Sequence, residues 1–171
     1  MLTGKCLCGE VRFELRGDIG DAHLCHCKMC RRWGGGMPLA VCGGDVHLLA
    51  DKTLRWWKSS PWGERGFCGV CGSSLFWRTQ DGGHMTVQLG ALDDDNAAKV
   101  IGEHIYIDEK PGFYQTADDA PRLSGAAFTA RVMAQLSAKY GDGFLPDAMR
   151  QMREHSGEAF AAEVENLMAK A

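Results

Sequence analysis

A chain of 171 residues suffices for one domain with an appendage and buries roughly 70% of its unfolded surface, so it needs no staples merely to fold. With 45% hydrophobic and 24% charged residues it matches the globular average, which excludes disorder and a membrane protein on composition. A formal net charge of -3 and a pI near 6.1 supply no general attraction to phosphate backbones, so nucleic acid is not an expected partner.

The first residues, Met1 to Cys6, lack the apolar run of a signal peptide, and no stretch of about 18 apolar residues follows. A cytoplasmic protein with no membrane partner is therefore expected. From Thr3 to about Ile107 the chain reads as short alternating stretches separated by glycines. Val11, Phe13 and Leu15 fall on one face of a strand, as half-burial requires. Further strands are expected at Met37 to Cys42, Val46 to Leu49, Leu54 to Trp57, Ser74 to Arg78, His84 to Leu89 and Val100 to Ile107. Turn signals such as Gly43-Gly44, Asp81-Gly82-Gly83 and Asp93-Asp94-Asp95-Asn96 bound them. The expectation is a mainly β fold with an antiparallel core over residues 1–117.

From 118 to 171 the spacing turns helical, predicting a short C-terminal extension. Phe128, Val132 and Leu136 form one stripe and Gly141 a stop. Leu145, Met149 and Met152 form a second stripe, and Phe160, Val164, Leu167 and Met168 a third, with Ser156 as its cap. Such stripes pack on their own domain or dock a second subunit, so a homo-oligomer stays open.

Eight cysteines in a chain without an export signal point to metal ligation rather than disulfides. Cys6-Leu7-Cys8-Gly9 and Cys68-Gly69-Val70-Cys71-Gly72 are close pairs followed by glycine. Together they make a closed tetrahedral site of four thiolates, which suits structural zinc and leaves no vacancy for chemistry. Cys25, Cys27 and Cys30 are three thiols within six residues. Three ligands leave one position open, the arrangement of catalytic zinc, where a substrate thiol ionises near neutral pH. Two Zn2+ per chain are expected. His26, Cys42 or His84 can close the second site instead. In an extended segment, though, His26 points away from Cys25 and Cys27, and Cys42 sits in an apolar run. Arg31 and Arg32 follow the triplet and are candidate substrate-binding cations for a carboxylate-bearing thiol, or else plain surface arginines.

These residues resemble the glutathione-dependent formaldehyde-activating enzyme family. The likeness runs through Gly4 to Val11, Cys25 to Arg31 and Gly66 to Leu75, and more weakly through Glu103 to Tyr106 and Lys110 to Tyr114. The resemblance implies a β-tent of stacked antiparallel sheets, structural zinc on Cys6, Cys8, Cys68 and Cys71, and a second zinc on Cys25, Cys27 and Cys30. It also implies a carbon-sulfur lyase that joins glutathione and formaldehyde into S-(hydroxymethyl)glutathione. Against that stands a non-catalytic thiol carrier, or a protein-interaction module using Trp33, Trp56, Trp57, Trp62 and Trp77 as an aromatic patch.

Overall fold

The computed structural model describes residues 1–36, 39–42, 44–97 and 101–170. The expected strand starts at Met37 and Val100, the Gly43 half of the first turn and the side chain of Cys42 lie outside the described residues.

Alternation of apolar and polar residues produces two packed sheets. The smaller joins β1 (Leu2–Lys5), β2 (Arg12–Arg16) and β5 (Asp45–Ala50) in the order β1-β2-β5, all antiparallel. The larger takes β3 (Ala22–Cys25), β4 (Leu39–Cys42), β6 (Leu54–Lys58), β7 (Gly63–Cys68), β8 (Ser74–Thr79), β9 (Met85–Gln88), β10 (Ile101–Ile105) and β11 (Arg122–Leu123). Its order is β11-β10-β3-β4-β9-β8-β7-β6. Within it β10 runs parallel to both β3 and β11, while the other pairings are antiparallel. No helix of the described residues is long and apolar enough to cross a membrane.

The predicted face of β2 forms the centre of the core: Val11, Phe13 and Leu15 are fully buried with Leu75, Phe76 and Val87 of the larger sheet. The Phe13 and Phe76 rings meet edge-on at 4.9 Å between centroids, tying one sheet to the other. Each such side chain contributes roughly 1.5–3 kcal/mol through burial. Gly4 lets the sheets close, because a Cβ there would stand 2.3 Å from the Phe13 ring and 2.6 Å from the Ala91 carbonyl.

After Ser124, which caps the helix by accepting from the Ala127 amide at 3.1 Å, the chain forms α2 (Gly125–Tyr140). A shorter helix, α1 (Lys28–Gly34), follows β3. Gly141 ends α2 as expected, and α3 (Leu145–Ser156) and α4 (Glu158–Met168) complete the tail. The cap expected at Ser156 is not formed. Ser156 closes α3, and Gly157 at φ 96° supplies the turn into α4 with no side-chain cap. Ala126, Ala130, Met149, Met152, Ala161 and Val164 make a second core confined to the tail. The buried side of α2 is thus its small residues, with Phe128, Val132 and Leu136 only half-buried. Small residues there let α4 approach closely.

Among the contacts that fasten this tail to the sheets, two involve buried or ring-packed groups of β10 and the turn after it. The Tyr106 ring lies on Gly125, where a Cβ would come within 2.5 Å of it. Arg131 of α2 holds the Glu103 carboxylate with both terminal nitrogens, at 2.8 and 2.6 Å, and His23 of β3 meets the same carboxylate at 2.9 Å.

Candidate metal centres

Cys6 and Cys8 follow β1, while Cys68 ends β7 and Cys71 sits in the turn after it, so sheet packing brings the two pairs together across sixty-odd residues. Their four sulfurs lie within 4.8 Å of one another, with Cys6 to Cys8 at 3.5 Å and Cys8 to Cys68 at 3.7 Å. Four thiolates about 2.3 Å from one tetrahedral ion would stand about 3.8 Å apart, so the donor set fits a metal. Amides steady the sulfurs: Val11 donates to Cys6 Sγ at 3.2 Å and Val70 to Cys68 Sγ at 3.4 Å. Bonds from Ser73 pull the Cys71 thiol down to about 5, favouring the thiolate a metal needs.

The second cluster forms where β3 runs into α1. Cys25 closes the strand and Cys27 is the N-cap residue of the helix. Cys30 stands in its first turn, its amide donating to Cys27 Sγ at 3.3 Å. The spacing therefore folds as a strand-to-helix junction with sulfur in the capping position, rather than as an extended run. The three sulfurs lie within 4.8 Å of one another, and among the described residues no fourth His, Cys, Asp or Glu joins them. Three soft thiols around one point fit a thiophilic cation. Hydrogen bonds from the other two thiols, helped by Arg65, hold Cys30 down near 3, while those same bonds and burial push Cys25 well up.

His26 is excluded as the closing ligand by its partners. Fully buried, it meets Tyr114 Oη at 2.6 Å through Nδ1 and His104 Nδ1 at 2.9 Å through Nε2, and His104 Nε2 meets Asp118 Oδ1 at 2.8 Å. Both of its ring nitrogens face away from the thiols. His84 packs on Trp77 and belongs to neither cluster.

Arg31 is directed to main-chain carbonyls, donating to His26 at 2.9 Å and Glu109 at 3.4 Å, which anchors α1 to the turn after β10. Arg32 is exposed and lies about 200° around α1 from Cys30. The guanidinium that meets a sulfur is Arg65 of β7, whose Nη2 stands 3.5 Å from Cys30 Sγ. The sequence reading missed Arg65, His104, Tyr114 and Asp118. Its only signal for two of them was the weaker likeness around 103–114. Of the five tryptophans, Trp57 and Trp62 are exposed; Trp33 stacks on Trp57 at 5.8 Å, and Trp56 lies over Phe76.

Comparison with known proteins gives these arrangements a family context. A family model described as glutathione-dependent formaldehyde-activating enzyme matches residues 1–109. An uncharacterized lyase of Schizosaccharomyces pombe is 25% identical over 116 residues, 67% of this chain and 85% of that protein. A candidate glutathione-dependent formaldehyde-activating enzyme of Halomonas elongata is 27% identical over 154 residues, 82% of this chain and 97% of the relative. A crystal structure of a Rhodobacter sphaeroides protein, 24% identical, covers 53% of this chain and 87% of its own with a TM-score of 0.43.

Proposed function

The chain belongs to the glutathione-dependent formaldehyde-activating enzyme family, and on that premise we propose that it is a zinc-dependent carbon-sulfur lyase. It joins a thiol such as glutathione to a small aldehyde such as formaldehyde, and releases them in reverse. The observation that carries this reading is the three-sulfur cluster of Cys25, Cys27 and Cys30, which lacks a fourth ligand among the described residues.

Cys6, Cys8, Cys68 and Cys71 would hold a zinc that only stabilises the fold, and Cys25, Cys27 and Cys30 would hold the second. When bound, that second ion would supply the positive charge that keeps a substrate sulfur ionised near neutral pH. The chain's own residues do the positioning. Cys27 and Cys30 are set by the first turn of α1, and Cys25 by β3. In the reaction the thiolate sulfur adds to the carbonyl carbon, forming the carbon-sulfur bond. The carbonyl oxygen takes up the proton the thiol has lost. Proximity and nucleophile activation are the sources of rate. The catalytic part is residues 1–117, with 118–171 as a supporting extension; substrate binding by Arg31 and Arg32 is kept as a proposal only, with Arg31 engaged by main-chain carbonyls and Arg32 on the far side of α1 from Cys30.

Exchange NMR of formaldehyde and glutathione with and without protein tests the proposal, since the two also combine spontaneously. Acceleration abolished by Cys27→Ser or Cys30→Ser is the expected result. Thiol binding with no acceleration would make the protein a carrier.

A further inference from the structure

We propose that Arg65 compensates the charge of the three-thiol site and makes that site prefer an anionic fourth ligand over a neutral one. The inference rests on the metal reading above and deepens it.

Arg65 is only 5% exposed, yet no carboxylate pairs with it among the described residues. Its position in the sheet explains why. In register it lies between Trp57 of β6 and Trp77 of β8, and its guanidinium stands 5.9 Å over the Trp33 ring. Arginine does not deprotonate in proteins, and a buried unpaired cation is strongly disfavoured. The anion that answers it is the sulfur cluster, through Cys30 Sγ at 3.5 Å.

Three thiolates around a divalent ion carry one net negative charge, and a fourth thiolate makes it two. With Arg65 beside these half-buried sulfurs the three-thiolate site is neutral, so a fourth thiolate leaves one net negative charge rather than the two it would leave without the guanidinium. A neutral ligand adds no charge and gains nothing from the guanidinium. The four-sulfur site is handled differently. Cys8 is exposed to water, and the bonds to its group's sulfurs come from amides and hydroxyls rather than from a guanidinium. Water and amides balance one cluster, a fixed cation the other.

The test loads the full chain with Co2+ and titrates it with 2-mercaptoethanol and, separately, imidazole. Visible bands and sulfur-to-cobalt charge transfer report binding at the open site. 2-Mercaptoethanol has no carboxylate, so the readout is charge on sulfur alone. Arg65→Met should lower the thiol-to-imidazole affinity ratio on the order of 10- to 100-fold, the size of one hydrogen bond to a charged group. Arg65→Lys should keep most of the ratio. A ratio unchanged in Arg65→Met, or lost equally in Arg65→Lys, overturns the proposal. A wild-type spectrum that answers to neither ligand overturns the open-site reading itself, and the role of Arg65 with it.

Discussion

His26 Nε2 lies 2.9 Å from His104 Nδ1, the buried middle link of a chain running from Tyr114 to Asp118. The Asp118 carboxylate only accepts, so His104 donates through Nε2, and a neutral His104 then accepts through Nδ1 from His26. His26 Nδ1 then accepts from the Tyr114 hydroxyl. With both rings neutral one tautomer of each satisfies every bond, and burial holds His26 down near 4, in keeping with a neutral His26. Long-range proton-nitrogen correlation NMR should therefore find both imidazoles protonated on Nε2. A proton on His26 Nδ1 would contradict this direction.

The same chain grades its own mutants. His104→Ala removes a fully buried ring and strands His26, which should destabilise by about 2–4 kcal/mol. Tyr114→Phe loses one donor and about 1 kcal/mol. Asp118→Asn still offers an acceptor and should lose least. Urea unfolding of the three variants checks the order.

Much of the β core was legible, because Val11, Phe13 and Leu15 alternate as a half-buried strand must, and all three are buried. Of the strands that escaped notice, β3 buries the apolar Ala22 and Leu24 in only four residues, while β1 and β7 face the core with residues that carry little apolar signal. In β7 the buried positions include Gly63, Arg65, Gly66 and Cys68, and in β1 the buried position is Gly4. The cysteine groups were legible from local spacing. Arg65, His104 and Asp118 were not, since only folding brings Arg65 to Cys30, 35 positions away, His104 to His26, 78 away, and Asp118 to His104, 14 away.

Removing single thiols should separate the two clusters. Cys68 is fully buried between β7 and the core, so Cys68→Ser or Cys71→Ser should unfold the sheets, structural zinc being worth roughly 10 kcal/mol in zinc-finger peptides. Cys27→Ser and Cys30→Ser should remain folded and lose activity. Circular dichroism and metal analysis on both pairs read this directly, and mild chelation should release one ion before the other.

Stability in acid should depend on Glu103. Arg131, and then His23, hold its carboxyl below the usual range, with burial opposing them. A depressed carboxyl stabilises fully above its unfolded pKa and loses that contribution as pH falls through the lower folded value. Glu103→Gln should therefore be less stable than wild type at neutral pH by about 1–2 kcal/mol, modest because Arg131 is partly exposed. The gap should close well below pH 4.5. A gap that persists at low pH in urea unfolding would refute the assignment.

The parallel partnership of β10 with β3 sets a timetable for synthesis. β3 finishes at Cys25 but sits between β4 and a strand that begins at Ile101, and the four-sulfur group waits for Cys71. Contacts of such long sequence separation close late. The thiols of Cys6, Cys8, Cys25, Cys27 and Cys30 therefore leave the ribosome before the strands and cysteines that shelter them, open to oxidants and to whichever metal arrives first. Supply of reducing equivalents and of the right ion during translation should govern the yield of active protein more than any step after release.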